Sequence, residues 1–308
     1  MDMTPKIKRI LAPTDFSPPA EQACSLAARL ANRLEAGLIV FHAVPLVDLA
    51  REIEARRGRT RESVLSDARE GLQAWLEEAV PVEWRQYLAI EVQLAVGDPA
   101  QQIAAAAEGA DLIVMGTRGR SGLVHLVMGS VTAAVLRTAR VPVLAVPVLA
   151  LRAGQADRPL TAVKRILWAT DLGPTSEAAW RYALLLADML AAEIFLLHVV
   201  SAAQVVGSPG PPAPLPGEWL EAEIAARDRD LASKQGEVEG LGLAVRRKVT
   251  MGAPAATILA EAEAERADLI VMGTHGRRGL PHVLLGSVAE AVIRRAPCPV
   301  LAVQAPGS

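Results

Sequence analysis

Gly116 and Gly119 are separated by two residues, nine more intervene, and Gly129-Ser130-Val131 then opens a helix-length segment. Gly273, Gly276 and Gly286-Ser287-Val288 repeat these gaps. Glycines at the carboxyl end of a strand let the backbone turn tightly and approach a ligand that a Cβ would exclude. A Gly-Ser pair ahead of a helix offers unpaired amides, a hydroxyl and the positive end of the helix dipole, which together suit a phosphate. The same pattern also serves as a tight strand-to-helix connection, and a duplication copies neutral features along with useful ones. Spacing and dipole alone leave both readings open. After the first strand the chain reads TDFSPPAEQ rather than G-x-G-x-x-G, and no G-x-x-x-x-G-K-[ST] occurs. A nicotinamide crossover and a Walker-type lysine are thereby disfavoured.

Asp15 and Asp171 close the first strand of each half. Either could accept from a ribose or base donor, help hold a divalent cation, or share with Ser17 and Thr175 the capping of the following helices. Thr14 and Thr170 add a hydroxyl beside them. Arg118, Arg120, Arg277 and Arg278 lie in or beside the glycine loops and could neutralise phosphate charge, or be solvated turn residues. His42 and His198 sit in apolar strands and read as satisfied structural residues, while His125, His275 and His282 are scattered through loops. No nucleophile–base arrangement can be assembled from these residues, and neither Cys24 nor Cys298 has a nameable partner. Metal-ligand clusters and paired carboxylates are likewise missing, so no catalytic residue and no metal ligand is assigned. A dedicated enzyme is therefore not expected.

The elements that must position these residues come in two copies. Asp15 and Asp171 are offset by 156 residues, as are His42 and His198, and the DLIVMGT segments at Asp111 and Asp268 by 157. A period this long is domain duplication rather than a solenoid of short repeats. Strands are predicted at Arg9–Pro13, Leu38–Val44, Tyr87–Val96, Leu112–Met115 and Val143–Val146, with helices at Pro18–Leu34, Arg56–Glu78, Ala100–Glu108 and Ser130–Thr138. The second copy follows with strands at Arg165–Ala169, Glu193–Val200, Ala244–Thr250, Leu269–Met272 and Val300–Val303. Strands alternating with helices predict a parallel sheet covered on both faces. The copies diverge most after the second strand, where VDLAREIEARRGR faces the Pro-rich VVGSPGPPAPLPG, read as an exposed, variable loop.

A length of 308 residues suits two domains of about 150 residues each, predicted at 1–150 and 163–308 with a linker at 151–162. Each half holds 16 basic and 17 acidic residues, leaving no basic footprint for nucleic acid. Aromatics are only 3%, so the cores must be built from Ala, Leu, Val and Ile, and the tryptophans fill gaps in them or in an inter-domain contact. The lack of an 18-residue apolar run argues against a membrane partner. With two cysteines and an opening of Met-Asp-Met-Thr-Pro-Lys, the expected setting is the cytoplasm.

These residues resemble the universal stress proteins in their tandem two-domain form. The resemblance rests on RILAPTDFS and RILWATD, the strand-two histidine, Gly97-Asp98-Pro99 with Gly252-Ala253-Pro254, DLIVMGT-x-G-R, the closing P-V-L-x-V and G-x2-G-x9-G-[ST]. It implies a Rossmann-like α/β fold of the adenine nucleotide alpha hydrolase type, in which each domain is a five-stranded parallel sheet of order 3-2-1-4-5. It further implies an ATP-binding stress-response or regulatory module, with AMP, ADP or Mg²⁺ as further ligands. Gly116, Gly119, Gly129, Ser130 and Val131 would wrap the phosphates, as would Gly273, Gly276, Gly286, Ser287 and Val288. Asp15 with Val44, and Asp171 with Val200, would line the adenine and ribose side. The last strands would pair into an internal pseudo-dimer, and a homodimer of the chain is open. The alternatives are a chaperone-like or protein-interaction module without nucleotide, and a slow ATP hydrolase. The loop differences Arg118 against His275 and Asp98 against Ala253 imply unequal sites.

Overall fold

The computed structural model describes residues 5–55, 58–117, 128–147, 163–201, 216–274 and 285–304, with no side-chain description for 216–219. The chain divides into two compact units at Leu160 and Thr161. The predicted linker, Gly119, Gly276 and the four loop arginines lie outside the described residues.

In the first unit β1 (Arg9–Pro13), β2 (Gly37–Val44), β3 (Ile90–Val96), β4 (Leu112–Gly116) and β5 (Val143–Val146) lie in the order β3-β2-β1-β4-β5. Every neighbouring pair there runs parallel. In the second unit β6 (Arg165–Thr170), β7 (Glu193–Val200), β8 (Val245–Met251), β9 (Leu269–Gly273) and β10 (Val300–Val303) lie in the order β8-β7-β6-β9-β10, also parallel. Parallel neighbours need crossovers, and right-handed crossovers sort the helices into two layers. Helix α1 (Pro18–Leu34) packs against α3 (Arg61–Ala79), and α5 (Pro99–Ala106) against α6 (Ser130–Thr138). This is a Rossmann-like three-layer α/β arrangement.

Burial follows position in the sheet. Central β1 and β4 are buried along almost their whole length, while β3 is half-buried and β8 exposes Arg246, Arg247 and Lys248. Those cations pair with Glu193, Glu265, Asp228 and Glu261. A charged outer strand resists pairing with foreign strands.

Three local outcomes differ from the sequence expectation. The segment Leu46–Ala55 is a helix, α2, because Leu49 and the partly buried Ile53 share one face and pack on Val44, Val64 and Leu94. Helix α3 begins at Arg61, where Thr60 and Ser63 form a reciprocal capping box. Strand β3 starts three residues late, because the short helix α4 (Val82–Arg85) folds back on the carbonyl of Pro81 and leaves Tyr87 exposed. Of the tryptophans, Trp168 and Trp180 are buried against each other and Trp84 is half-buried.

Cys24 and Cys298 are buried free thiols. Burial, aided by the charge of Glu21, pushes Cys24 from an ordinary 9.0 up to about 12. Burial first, then Asp268, raises Cys298 as well, against a backbone hydrogen bond from Ile270. A raised thiol stays protonated in the folded chain where the unfolded chain already ionises. Its stabilising effect is therefore intact below pH 9 and is lost as pH climbs toward 12. Unfolding free energies from denaturant titrations should fall as pH rises above about 9, by up to about 1.4 kcal/mol per pH unit and thiol. Cys24→Ala should flatten that slope, and native chain should resist a thiol-reactive dye.

Candidate functional site

The chain leaves β1 through a turn that carries Asp15. Thr14 N–H still donates to the carbonyl of Phe41 (2.8 Å), and its hydroxyl oxygen then accepts the N–H of Phe16 (2.9 Å). Asp15 Oδ1 accepts both the N–H (3.1 Å) and the hydroxyl (2.5 Å) of Ser17. Ser17 in turn caps α1 through the N–H of Ala20 (3.4 Å). This network holds Phe16 at φ +65°, a left-handed conformation that a non-glycine residue adopts at a cost.

The second unit repeats the turn. Leu172, at φ +60°, donates its N–H to Thr170 Oγ1 (2.8 Å), and Asp171 Oδ1 accepts from Gly173 N–H (2.9 Å) and Ser176 Oγ (2.5 Å). Here α7 (Pro174–Leu190) starts at Gly173 with no side-chain cap. Ser17 thus provides the cap in the first unit, whereas neither Asp171 nor Thr175 provides one in the second. Both aspartates spend one carboxylate oxygen on fixing their own turn.

The strand-two histidines hold the same turn from the other side. His42 Nδ1–H donates to the carbonyl of Thr14 (2.7 Å), and His198 Nδ1–H to that of Thr170 (2.8 Å). A carbonyl can only accept, so the proton sits on Nδ1. Phe16 lies against the His42 ring at a centroid distance of 4.4 Å.

Gly116 ends β4, and a Cβ there would stand 3.0 Å from the carbonyl oxygen of Pro19 and 3.1 Å from its carbonyl carbon. At Gly273 a Cβ would meet Thr175 Cγ2 at 2.9 Å and the Thr175 carbonyl carbon at 3.0 Å. These two glycines therefore admit the first turn of the neighbouring helix, a packing role that the ligand-approach reading did not contain. Gly129 and Gly286 differ from them. They precede α6 and α10 (Ser287–Arg295) at φ −59° and −60°, a conformation open to any residue, and no side chain caps either helix. The first intrahelical bonds run from Ala133 to Gly129 and from Glu290 to Gly286, leaving the preceding amides without helix acceptors.

In the first unit these parts meet in one cavity of about 380 Å³. Asp15, Val44, Gly116, Gly129, Ser130 and Val131 all line it. The sequence reading did not single out Asp48, Pro99, Ile103 or Met115 for the site, and it gave His42 only a structural part, yet all five are in the wall. Asp48 comes with α2, and the Leu46/Leu49/Ile53 spacing was the signal that could have found it. In the second unit Asp171, Val200, Gly273 and Gly286-Ser287-Val288 occupy the matching strand ends and helix start.

The Val44 and Val200 carbonyls accept the N–H groups of Gly97 and Gly252 (3.0 Å each). Asp98 caps α5 through Gln101 N–H (3.0 Å), while Ala253 offers α9 (Pro254–Ala264) no such bond. That difference between the copies is thus a capping difference. Among the described residues no group of three His, Cys, Asp or Glu could hold a metal ion, and no helix is long and apolar enough to cross a membrane.

The family model described as Universal stress protein family matches residues 6–147 and again 162–304. Universal stress protein MJ0531 of Methanocaldococcus jannaschii is 38% identical over 146 residues, 46% of this chain and 83% of that protein. A universal stress protein of Mycolicibacterium smegmatis is 27% identical over 96% of both chains. The crystal structure of a universal stress protein from Archaeoglobus fulgidus superimposes with a TM-score of 0.68 at 23% identity, covering 97% of this chain and 98% of that one.

Proposed function

This chain belongs to the universal stress protein family, with the family's domain present twice, and we propose on that premise that it binds adenine nucleotide as a stress-response or regulatory module. The observation that carries the reading is the first unit's cavity, which joins an uncapped helix start to the Asp15 turn beyond the carboxyl ends of β1, β2 and β4. Ligands of open parallel α/β sheets bind in that crevice. Its volume falls in the usual range for small-molecule sites, about 300–1,000 Å³.

The donor set fits ATP. Amides of Ser130 and Val131, the Ser130 hydroxyl and the α6 dipole would receive the phosphates, together with Gly119. The Thr132 hydroxyl is already given to the Gly116 carbonyl (3.0 Å). Asp15 and Val44 would flank the nucleoside. A Mg²⁺ ion would be held chiefly by the phosphates, as that ion commonly is. The second unit would use Asp171, Val200, Gly276, Gly286, Ser287 and Val288 in the same roles. No reaction is assigned: the bound nucleotide would act by stabilising the conformation that binds it, by about 2.7 kcal/mol at a hundredfold excess over Kd.

Gly129→Val and Gly286→Val test the site, because their backbone angles suit valine and a branched side chain would crowd the helix start. Calorimetry should show ATP binding in the native chain and a loss of at least about tenfold for each variant at its own site, with unfolding midpoints little changed. Undiminished ATP affinity in both variants would remove the site. Absence of binding in the native chain would favour the protein-interaction reading.

A further inference from the structure

We infer that Asp48 is a specificity-determining residue of the first unit's cavity, selecting ligands whose end remote from the phosphates carries hydrogen-bond donors. The inference rests on the nucleotide reading of that cavity and adds a selectivity to it. The cavity's polar groups come from the ends of different strands: Ser130 and Val131 from the α6 start, tied to the end of β4 by the Gly129 N–H to Thr117 carbonyl bond, Asp15 from the turn after β1, and Asp48 from α2 after β2. In the order β3-β2-β1-β4-β5 the strand that feeds α2 lies on the other side of β1 from β4.

Asp15 already satisfies two donors from Ser17 through Oδ1. Asp48 is held much less tightly. Its only ion pair among the described residues is Arg51 at 3.7 Å, one turn along an exposed helix face, and its side chain is 54% exposed. Such a pair contributes little. The position of Asp48 is nevertheless set by packing. Leu49 is buried on Val44 and Val64 and donates its N–H to the Pro45 carbonyl (3.0 Å), which fixes the phase of α2 and turns Asp48 to the cavity.

A carboxylate in that wall repels a phosphate tail and favours a neutral group with N–H or O–H donors. In a nucleotide these are the ribose hydroxyls and the exocyclic amine of the base. With the tail on Ser130, Asp48 therefore selects for donors at the nucleoside end. The second copy carries no acidic residue between His198 and Glu218, so the two halves are predicted to differ in this selectivity.

The test is calorimetry on the full chain carrying Gly286→Val, with and without Asp48→Asn, against ATP, 2′-deoxy-ATP and the triphosphate of unsubstituted purine riboside. Removing the carboxylate should weaken ATP about tenfold, the effect of a charge-assisted hydrogen bond. It should also erase the preference for ATP over whichever analogue lacks the donor that Asp48 holds, which identifies the hydroxyl or the amine. ATP binding by the Gly286→Val chain that Asp48→Asn leaves unchanged in affinity and in both analogue ratios would overturn the role of Asp48 and leave the site standing. Failure of the native chain to bind any of the three would overturn both.

Discussion

Trp168→Ala should cost the second unit about 3–5 kcal/mol and split a single unfolding transition into two. Trp168 is fully buried in β6, its ring 4.6 Å from that of the buried Trp180. Its indole N–H donates to the Ser176 carbonyl (3.2 Å), and Ser176 Oγ donates to Asp171. The substitution therefore opens a cavity, removes an aromatic pair and frees the helix turn that steadies Asp171. The first unit fills the same two positions with Ala12 and Cys24, both buried, so it has no equivalent to lose. Denaturant unfolding followed by circular dichroism should show an early phase in the variant and a late phase at the native midpoint of the first unit. Trp180→Phe, which keeps a ring against Trp168, should cost clearly less. A single transition with an unshifted midpoint would contradict the packing argument.

That pair also marks where sequence reading stopped. The offset of 156 aligns Trp168 with Ala12 and Trp180 with Cys24, but nothing local says that two separate substitutions compensate across a strand–helix contact. What could be read was governed by local rules. Arg9–Pro13 and Leu112–Gly116 are short apolar runs between helix-length segments, and they fold as buried parallel strands. The duplication was legible for the same reason, since it is a pattern within the chain. Asp15, Val44, Gly116 and Gly129-Ser130-Val131 were named from motif and resemblance, and the first unit brings them to one cavity. Asp48 escaped because α2 has a single fully buried residue, Leu49, so its apolar face is narrow and the sequence reading assigned no element to that segment. The histidines were read as structural, but their partner, the carbonyl of the Asp-bearing turn, is 28 residues away and had no sequence signature.

Gly116→Ala and Gly273→Ala should each destabilise their unit by about 1–3 kcal/mol, although each adds only one methyl group. The space is taken by the start of the next helix. At Gly116 the obstacles are the carbonyl and ring of Pro19, at 3.0 and 3.1 Å, and a proline has little freedom to withdraw. At Gly273 the nearest atom is a methyl of Thr175 at 2.9 Å, with backbone at 3.0 and 3.1 Å behind it. Thr175→Ala should therefore recover part of the loss in Gly273→Ala, giving a favourable coupling in a double-mutant cycle. The backbone contacts would keep the recovery incomplete, and no side-chain truncation can relieve Gly116 in the same way. The consequence reaches the site. Alanine at either position displaces the helix whose first turn follows Asp15 or Asp171, so a loss of nucleotide binding there would report a moved turn. Equal stability of Gly116→Ala and native chain would show instead that the β4 end has room to spare, and would return that glycine to the ligand.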